Sequence, residues 1–126
     1  MNSDCPFCSL PPSRIIASNE LALAVRDGYP ISQGHTLIIP KRHIGSFFET
    51  TQEEKLSLLE LITLTQKELM VEFQPNGLNI GINDGAAAGQ TVPHLHVHII
   101  PRFNGDQEDP RGGVRWIIPE KAKYWK

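Results

Sequence analysis

Residues 94–98 read His-Leu-His-Val-His, and this stretch, placed between Pro93 and the run Ile99-Ile100-Pro101, decides the fold. Strict alternation of histidine with aliphatic residues has a period of two, which is typical of a β-strand. On a strand, the three histidines point to one face of a sheet, while Leu95, Val97 and Ile99 point into a core. The pattern therefore predicts a core strand with three imidazoles on its other face.

Three imidazoles at this spacing suit proton transfer, phosphoryl chemistry or metal binding, because imidazole titrates near neutral pH. A single histidine in a strand is usually a half-buried structural residue, but three neighbouring imidazoles repel one another when protonated. A His-x-His pair can also supply two ligands to one zinc ion. At ~3.3 Å per residue, His94 and His98 would lie roughly 13 Å apart, too far for all three histidines to bind one ion easily. At least one of them therefore remains free for another role.

The chain has 126 residues, which is enough for one domain with a core, and we assign residues 1–126 to a single domain. Hydrophobic residues make up 40% and charged residues 21%, and the formal net charge is −2. This near-neutral balance favours neither nucleic acid nor a membrane surface as a partner. No apolar run is long enough to span a bilayer and the first residues show no signal peptide, so the expected compartment is the cytoplasm.

The two cysteines, Cys5 and Cys8, form a Cys-x-x-Cys motif near the start of the chain. In a reducing cytosol, such a motif is either half of a zinc site or a redox pair. A redox pair usually precedes a helix that lowers the thiol pKa, whereas Pro11-Pro12 follow this motif. The local sequence favours zinc, but two thiolates need two further ligands.

The remaining sequence predicts the element order β-β-α-β-β. Strands are expected over residues 21–25, 34–40 and 78–83, before the histidine stretch. Two overlapping capping boxes, Thr50 with Glu53 and Thr51 with Glu54, begin a leucine-rich helix that ends before Pro75. The order predicts an α+β fold with an antiparallel sheet and one long helix. The residues expected on the apolar face of the helix are Leu58, Leu59, Ile62, Leu69, Met70 and Phe73.

The segment 84–90 reads Asp-Gly-Ala-Ala-Ala-Gly-Gln and leads directly to the histidine stretch. Small residues permit close approach of the backbone to a ligand, and successive N–H groups in such loops can bind an anion. A hairpin turn can have the same composition, so the loop alone is a weak signal. Its position before the three histidines favours an anion site. At the other end of the chain, residues 114–119 are expected to form a last short strand.

Residues 89–100, Gly-Gln-Thr-Val-Pro-His-Leu-His-Val-His-Ile-Ile, resemble the signature of the histidine triad (HIT) superfamily. Gly34-His35 with the following Leu-Ile-Ile-Pro-Lys resembles the family's upstream strand, and Asn83-Asp84-Gly85 resembles its loop before the triad. The resemblance covers most of the chain. Within the superfamily, the chain most resembles the zinc-containing prokaryotic-type hydrolases that are related to Hint- and Fhit-like proteins. It implies a HIT-like fold that forms a homodimer across the sheet.

The resemblance also implies hydrolase or transferase chemistry at the α-phosphate of a nucleotide. His96 would be the nucleophile that forms a covalent nucleotidyl-histidine intermediate, His98 would help to protonate the leaving group, and His35 would line the same pocket. Further residues would bind the ribose, the phosphates and the base. In the matching positions these are Asp27 for the ribose, for which a turn aspartate is an almost equal alternative, and Asn83 for the phosphate bridge. The amides of Gly89 and Gln90 could hold phosphate oxygens, Thr91 is a further candidate for substrate binding, and Phe7 and Leu37 could flank the base or equally belong to the core.

Some prokaryotic-looking members of the family carry an N-terminal Cys-x-x-Cys and a histidine after the second strand, where this chain has His43. The resemblance thus implies a structural Zn²⁺ site, and no organic cofactor. Such a site would attach the N-terminal segment to the triad and leave His96 and His98 for chemistry. Its ligands would be Cys5, Cys8, His43 and His94.

Three functions remain open. The first is hydrolysis of a dinucleoside polyphosphate such as diadenosine tetraphosphate, the second is cleavage of adenylyl–amine bonds, and the third is nucleotide binding by a zinc-stabilised protein with little turnover. The intact triad favours the two enzymes, because binding alone needs no nucleophile. Similar tails in the family reach the partner subunit's site, so Arg102, Arg115 or Trp116 is a candidate to meet the leaving group, whereas Trp125 is expected to pack.

Overall fold

The computed structural model describes residues 4–126, in which five antiparallel strands form one sheet. The elements are β1 (Ile15–Ser18), β2 (Ala22–Arg26), β3 (Thr36–Pro40), α1 (Gln52–Glu72), β4 (Gly77–Ile82), β5 (Val97–Arg102) and a short helix α2 (Pro119–Ala122). In space the strands follow the order β1-β2-β3-β5-β4. The long helix α1 packs on one face of the sheet, so the predicted α+β fold is confirmed.

Two short elements differ from the prediction. β1 was not predicted, because its four residues alternate between half-buried and exposed and pair only with β2 at the sheet edge. Residues 114–119 are not a strand, since a 3₁₀-helix (Gly113–Ile117) leads directly into α2. Gly112 and Gly113 have φ angles of 96° and 46°, which turn the chain tightly before this helix. Arg115 then donates to the carbonyl oxygens of Lys121 and Ala122, which closes the tail on itself.

Strand β5 contains only the last two residues of the histidine stretch, because it begins at Val97. Pro93 has no N–H to donate, and the Leu95 N–H donates to the carbonyl oxygen of Ile44 (2.7 Å) instead of to a strand in register. Leu95, Val97 and Ile99 are buried, as predicted. The prediction that all three histidines lie on a strand holds only for His98, because His94 and His96 precede β5. His94 lies in the bend before β5 and is fully buried, whereas His96 lines the cleft together with His98.

Each face of the sheet carries its own apolar layer. The smaller layer lies opposite α1, where the N-terminal segment with Phe7 and Leu10 covers Val25, Leu37 and Ile39. This cover stops short of β5, so the outer face of β5 remains open as the floor of a cleft. The larger layer lies between the sheet and α1. Its buried residues are Ala22, Ala24, Ile38, Ile44, Leu58, Leu61, Leu69, Leu95, Val97 and Ile99.

Helix α1 begins and ends where the sequence predicts, with Thr51 as N-cap and Phe73 as C-cap. Its buried stripe is narrower than predicted, because Leu59 is 59% and Met70 is 42% exposed. The residues that are buried, at intervals of three and four, are Glu54, Leu58, Leu61, Thr65 and Leu69. No helix within residues 4–126 is both long and apolar enough to cross a membrane.

The start of α1 is held by Glu54, a buried carboxylate. The Thr51 N–H donates to Glu54 Oε1 (2.8 Å) and the Glu54 N–H donates to Thr51 Oγ1 (3.1 Å), which forms the second of the two predicted capping boxes. Arg42 donates to the same carboxylate through Nε (3.0 Å) and Nη2 (2.7 Å). These bonds to Arg42 lower the pKa of Glu54 from 4.5 to about 2. Because His43 follows Arg42, the ion pair joins α1 to the loop after β3.

We expect Glu54→Gln to destabilise the fold near neutral pH and to make its stability less dependent on pH in acid. A carboxyl group whose folded pKa is lowered stabilises the fold above its unfolded pKa, and this stability is lost as the pH falls toward about 2. Urea unfolding should show a difference on the order of 1–2 kcal/mol at neutral pH that shrinks as the pH approaches 2. Glu53→Gln is the matched control, because Glu53 is exposed. Equal pH dependence in Glu54→Gln and wild type would contradict this account.

Candidate active site and metal centre

The open face of β5 forms the floor of a cleft of about 690 Å³. Its walls come from the N-terminal segment, the loop after β2, strand β4 and the loop before the triad. The structure brings together nearly all of the residues that the sequence predicts for catalysis and substrate binding, and Gln90 is the exception. Those that line the cleft are Phe7, Asp27, His35, Leu37, Asn83, Gly89, Thr91, His96 and His98.

The protonation of His96 is determined by one hydrogen bond. Its Nδ1 lies 2.8 Å from the carbonyl oxygen of His94. A carbonyl oxygen can only accept, so the neutral ring carries its proton on Nδ1 and keeps a lone pair on Nε2. The ring of Phe7 meets the ring of His96 at 65°, with centroids 5.2 Å apart, and so restricts its orientation. In its neutral form, His96 therefore keeps the lone pair of Nε2 at the cleft.

The protonation of His98 is determined by a longer chain of contacts. The Ile31 N–H donates to His35 Nδ1 (3.2 Å), so neutral His35 carries its proton on Nε2. That nitrogen lies 3.0 Å from His98 Nδ1 and 3.3 Å from Asp27 Oδ2. With His35 as the donor, His98 Nδ1 accepts, and neutral His98 carries its proton on Nε2. The rings of His96 and His98 have centroids 5.1 Å apart, so in the neutral forms an imidazole with a lone pair on Nε2 lies beside one with an N–H there.

Burial favours the neutral forms of His35 and His98. It lowers the pKa of His35 and the pKa of His98, and the neighbouring imidazoles His96 and His35 lower the pKa of His98 further. The negative charge of Asp27 raises both pKa values. Asp27 also has a local structural role, because its Oδ1 accepts from the Tyr29 N–H (2.8 Å) in the turn after β2.

The loop 84–90 is held together from within. The Gly89 and Gln90 N–H groups donate to carbonyl oxygens inside the loop, and Gln90 Oε1 accepts from the Gly85 N–H (2.8 Å). Gln90 Nε2 donates to the carbonyl oxygens of Gly45 (2.8 Å) and Val92 (3.1 Å). In this conformation the Gly89 and Gln90 N–H groups donate within the loop, and their expected donation to phosphate stays a prediction. The Gln90 side chain therefore stabilises the loop that forms part of the cleft wall.

A second cluster, formed by Cys5, Cys8, His43 and His94, has the donor set of a metal centre. Its ligand atoms all lie within 4.8 Å of one another. His94 Nδ1 lies 3.4 Å from Cys5 Sγ and 3.1 Å from His43 Nδ1, and Cys8 Sγ lies 3.2 Å from His43 Nδ1. His94 Nε2–H donates to the carbonyl oxygen of Pro40 (2.9 Å), which leaves the Nδ1 lone pair facing the cluster. Two thiols and two imidazoles in a closed group suit structural zinc.

Asp27, His35 and His98 also bring three ligand atoms within 4.8 Å of one another. The protons in this group argue against a cation there. His35 faces the group with Nε2, which is protonated because the Ile31 N–H occupies Nδ1. A metal would have to displace that proton and break the bond to Ile31, or leave an imidazolate. This group therefore suits proton positioning, whereas the Cys/His cluster suits a metal.

Several contributors to the site were missed from the sequence. Asn79 and Ile100 extend the cleft along β4 and β5, and Val114 reaches it from the tail. Asn79 could have been identified from the sequence, because a strand of period two places Asn79 on the same face as Asn83. The Ile31 N–H had none, since its role depends on the loop conformation that brings it to His35.

Comparisons with known proteins agree with this architecture. The family model described as HIT domain matches residues 10–105. The HIT-like protein MG132 of Mycoplasma genitalium is 40% identical over 105 residues, which cover 80% of this chain and 74% of the relative. The crystal structure of a Zn-bound histidine triad family protein from Mycobacterium smegmatis is 35% identical with a TM-score of 0.75, covering 83% of this chain and 79% of that chain.

Two further relatives carry the names of nucleotide enzymes. The asymmetrical bis(5'-nucleosyl)-tetraphosphatase of Schizosaccharomyces pombe is 39% identical over 94 residues, 75% of this chain and 52% of the relative. The AP-4-A phosphorylase of Mycobacterium tuberculosis is 34% identical over 110 residues, 80% of this chain and 55% of the relative. This chain thus spans about half the length of each. The prediction of an enzyme is confirmed by these relatives. Because the family model matches most of its length, the chain belongs to the HIT family.

Proposed function

We propose that this protein cleaves a nucleotide at its α-phosphate through a covalent bond between phosphorus and His96 Nε2. The observation that carries the proposal is the hydrogen bond from His96 Nδ1–H to the His94 carbonyl oxygen, because it leaves Nε2 unprotonated. A neutral imidazole attacks an anionic phosphate without the charge repulsion that an anionic nucleophile meets. Covalent catalysis divides one difficult displacement into two easier ones.

In the first displacement, the Nε2 lone pair forms the N–P bond while the P–O bond to the leaving group breaks and its electron pair stays on the leaving oxygen. His98 Nε2–H is the donor for the negative charge that develops there. In the second displacement, water forms a new O–P bond, the N–P bond breaks, and the lone pair returns to His96. The nucleoside monophosphate leaves and the proton from water passes to solvent.

The remaining cleft residues suit the binding roles expected of them. We infer that Phe7 and Leu37 flank the base, that Asp27 binds the ribose, and that Asn83 and Thr91 contact the phosphates. The names of the fission yeast and mycobacterial relatives support a dinucleoside polyphosphate such as diadenosine tetraphosphate as the substrate. Adenylyl–amine cleavage is the alternative, because the same attack on phosphorus serves both leaving groups.

We also propose that Cys5, Cys8, His43 and His94 hold a structural Zn²⁺ ion. The support is the closed donor set, the orientation of His94 Nδ1 and the Zn-bound relative from Mycobacterium smegmatis. Four protein ligands leave no open position, so the ion would stabilise the fold and would not act on the substrate. It would attach the N-terminal segment, and with it Phe7, to the bend that precedes β5.

A homodimer with joined sheets is the proposed assembly. β4 is an edge strand of the sheet, and an edge presents backbone N–H and C=O groups that can pair with a second copy. Ile80 on this strand is 47% exposed, and Leu59 and Met70 are exposed on α1. These apolar side chains support burial against a partner.

The covalent intermediate can be tested directly. On brief mixing with diadenosine tetraphosphate, we expect wild type to carry an adduct of one AMP and His96→Ala to carry none. Turnover by His96→Ala should fall on the order of 10³-fold or more. Intact-protein mass after an alkaline denaturing quench measures the adduct, because N–P bonds hydrolyse in acid. An adenylyl-amine tested in parallel gives the relative rates for the two substrate classes.

Unchanged turnover in a folded His96→Ala variant would contradict the proposed mechanism. Absence of both adduct and product with either compound in wild type would instead favour a nucleotide-binding protein with little turnover.

The proton positions give a second prediction. We expect neutral His96 to be protonated on Nδ1 and neutral His98 on Nε2. His98 should gain its second proton only below the usual value near 6.5, because burial and neighbouring imidazoles lower its pKa. Long-range ¹H–¹⁵N spectra between about pH 5 and 8 distinguish the tautomers. His35→Ala is the informative variant, since it removes the donor to His98 Nδ1. A proton on Nε2 of neutral His96 would contradict the assignment of the nucleophile.

The metal site gives a third prediction. We expect about one Zn²⁺ per chain in wild type and loss of the ion in Cys8→Ser, with a melting temperature lower by roughly 5–10 °C. Elemental analysis and thermal unfolding with and without a chelator measure both effects. His98→Asn is the matched control, because it removes a triad histidine outside the metal cluster. Equal metal content in Cys8→Ser and wild type would refute the ligand set.

A further inference from the structure

A second cleft, of about 860 Å³, continues from the first along the outer face of β5. The two clefts share Ile31, Asn79, Ile100 and Val114 as wall residues. The floor of the second cleft lies beyond His98, where Ile100 and Arg102 follow at alternate positions of β5. The two clefts therefore form one trough, with His96 and His98 at one end.

The far wall of the second cleft is the C-terminal segment of the same chain. Asp109, Val114 and Trp116 line it, and the 3₁₀-helix that contains Val114 and Trp116 contacts β4. Of the residues expected to meet a leaving group, Arg102 and Trp116 are in the cleft wall. Arg115 is not in this wall, since its guanidinium donates to backbone carbonyls of the tail.

The charges of this cleft do not suit phosphate groups. Arg102 is the one cationic side chain among its described wall residues. Its Nε and Nη2 donate to the two carboxylate oxygens of Asp106, both at 2.8 Å, and its Nη1 donates to Asn79 Oδ1 at 2.8 Å. The charge of Arg102 is therefore neutralised and its donors are used. Asp109 adds a further carboxylate to the wall.

The surface of the cleft suits a neutral aromatic group with polar edges. Phe103, Val114 and Trp116 supply apolar and aromatic surface, and the amides of Gln33 and Gln107 supply both donors and acceptors. Ser32 lies in the same wall and carries the one buried side-chain oxygen that has no hydrogen-bond partner within residues 4–126. An unpaired buried hydroxyl costs free energy, so rotation of this side chain toward a ligand would stabilise a complex.

We propose that the second cleft binds the distal nucleoside of a dinucleoside polyphosphate, while the first cleft holds the nucleotide that His96 attacks. His98 and Arg102 are four residues apart on β5, or ~13 Å along the strand. A chain of several phosphates can join two nucleosides across this distance, whereas a single phosphate cannot. This inference rests on the proposed function and adds to it a site for the distal nucleoside, formed by the tail of the same chain.

The test compares diadenosine tetraphosphate with adenosine 5'-tetraphosphate, which has the same phosphates and lacks the distal nucleoside. Wild type should have a kcat/KM on the order of tenfold higher for the dinucleotide, because a base gains this much by stacking on an aromatic side chain. Trp116→Ala should remove most of this preference by lowering kcat/KM for diadenosine tetraphosphate alone. Phe103→Ala, which changes the wall at a residue outside the 3₁₀-helix of the tail, should reduce the preference as well.

Trp125→Ala is the matched control. Trp125 stacks on Arg111, with the guanidinium carbon 4.6 Å from the ring centroid, and does not line either cleft within the described residues. Equal kcat/KM for the two substrates in wild type would overturn the inference. So would an equal loss of preference in Trp125→Ala and Trp116→Ala, since the effect would then follow from order in the tail.

Failure of the proposed function gives a different result, because wild type would then turn over neither compound. Equilibrium binding to His96→Ala tests the second cleft without turnover. Tighter binding of diadenosine tetraphosphate than of adenosine 5'-tetraphosphate, lost in His96→Ala/Trp116→Ala, would support the inference, and equal affinities would overturn it.

Discussion

The hydrogen bond from His96 Nδ1–H to the carbonyl oxygen of His94 is the constraint on which the rest of the site depends. It assigns the lone pair to Nε2 and requires the backbone of residue 94 to stay in a fixed orientation. That backbone is fixed in turn by the ring of His94, which is fully buried between the Pro40 carbonyl oxygen and the Cys/His cluster. One residue thus connects the Cys/His cluster to His96, through its ring on one side and its carbonyl group on the other.

The elements of the fold were largely predictable where the sequence signal lies within a few neighbouring residues. Alternation of apolar residues identified Leu95, Val97 and Ile99 as core, and the capping box of Thr51 and Glu54 identified the start of α1, because both signals lie within a few residues. The start of β5 depends instead on the Leu95 N–H meeting Ile44, a partner far away in the sequence. Local propensity does not report such a contact, so the predicted strand began too early.

In the site, too, the residues could be identified from the sequence, but their arrangement could not. The histidines and cysteines were identified because few other residue types supply nucleophiles, proton donors and metal ligands, and the family signature supplied their expected roles. Their proton positions were not predictable, since these follow from the Ile31 N–H and the carbonyl oxygens of His94 and Pro40. The bonds that the Gln90 side chain makes to Gly85 and Gly45 were not predictable either, because they depend on how the loop folds.

Phe7 stands between Cys5 and Cys8, and its ring contacts the rings of both His94 and His96. The proposed metal cluster and the proposed nucleotide cleft therefore share one short segment of chain. By thermodynamic reciprocity, if an ordered Phe7 segment strengthens nucleotide binding, a bound nucleotide strengthens metal retention by the same factor. Such a protein would lose its metal more slowly while occupied by substrate, so its working lifetime would depend on the supply of nucleotide around it.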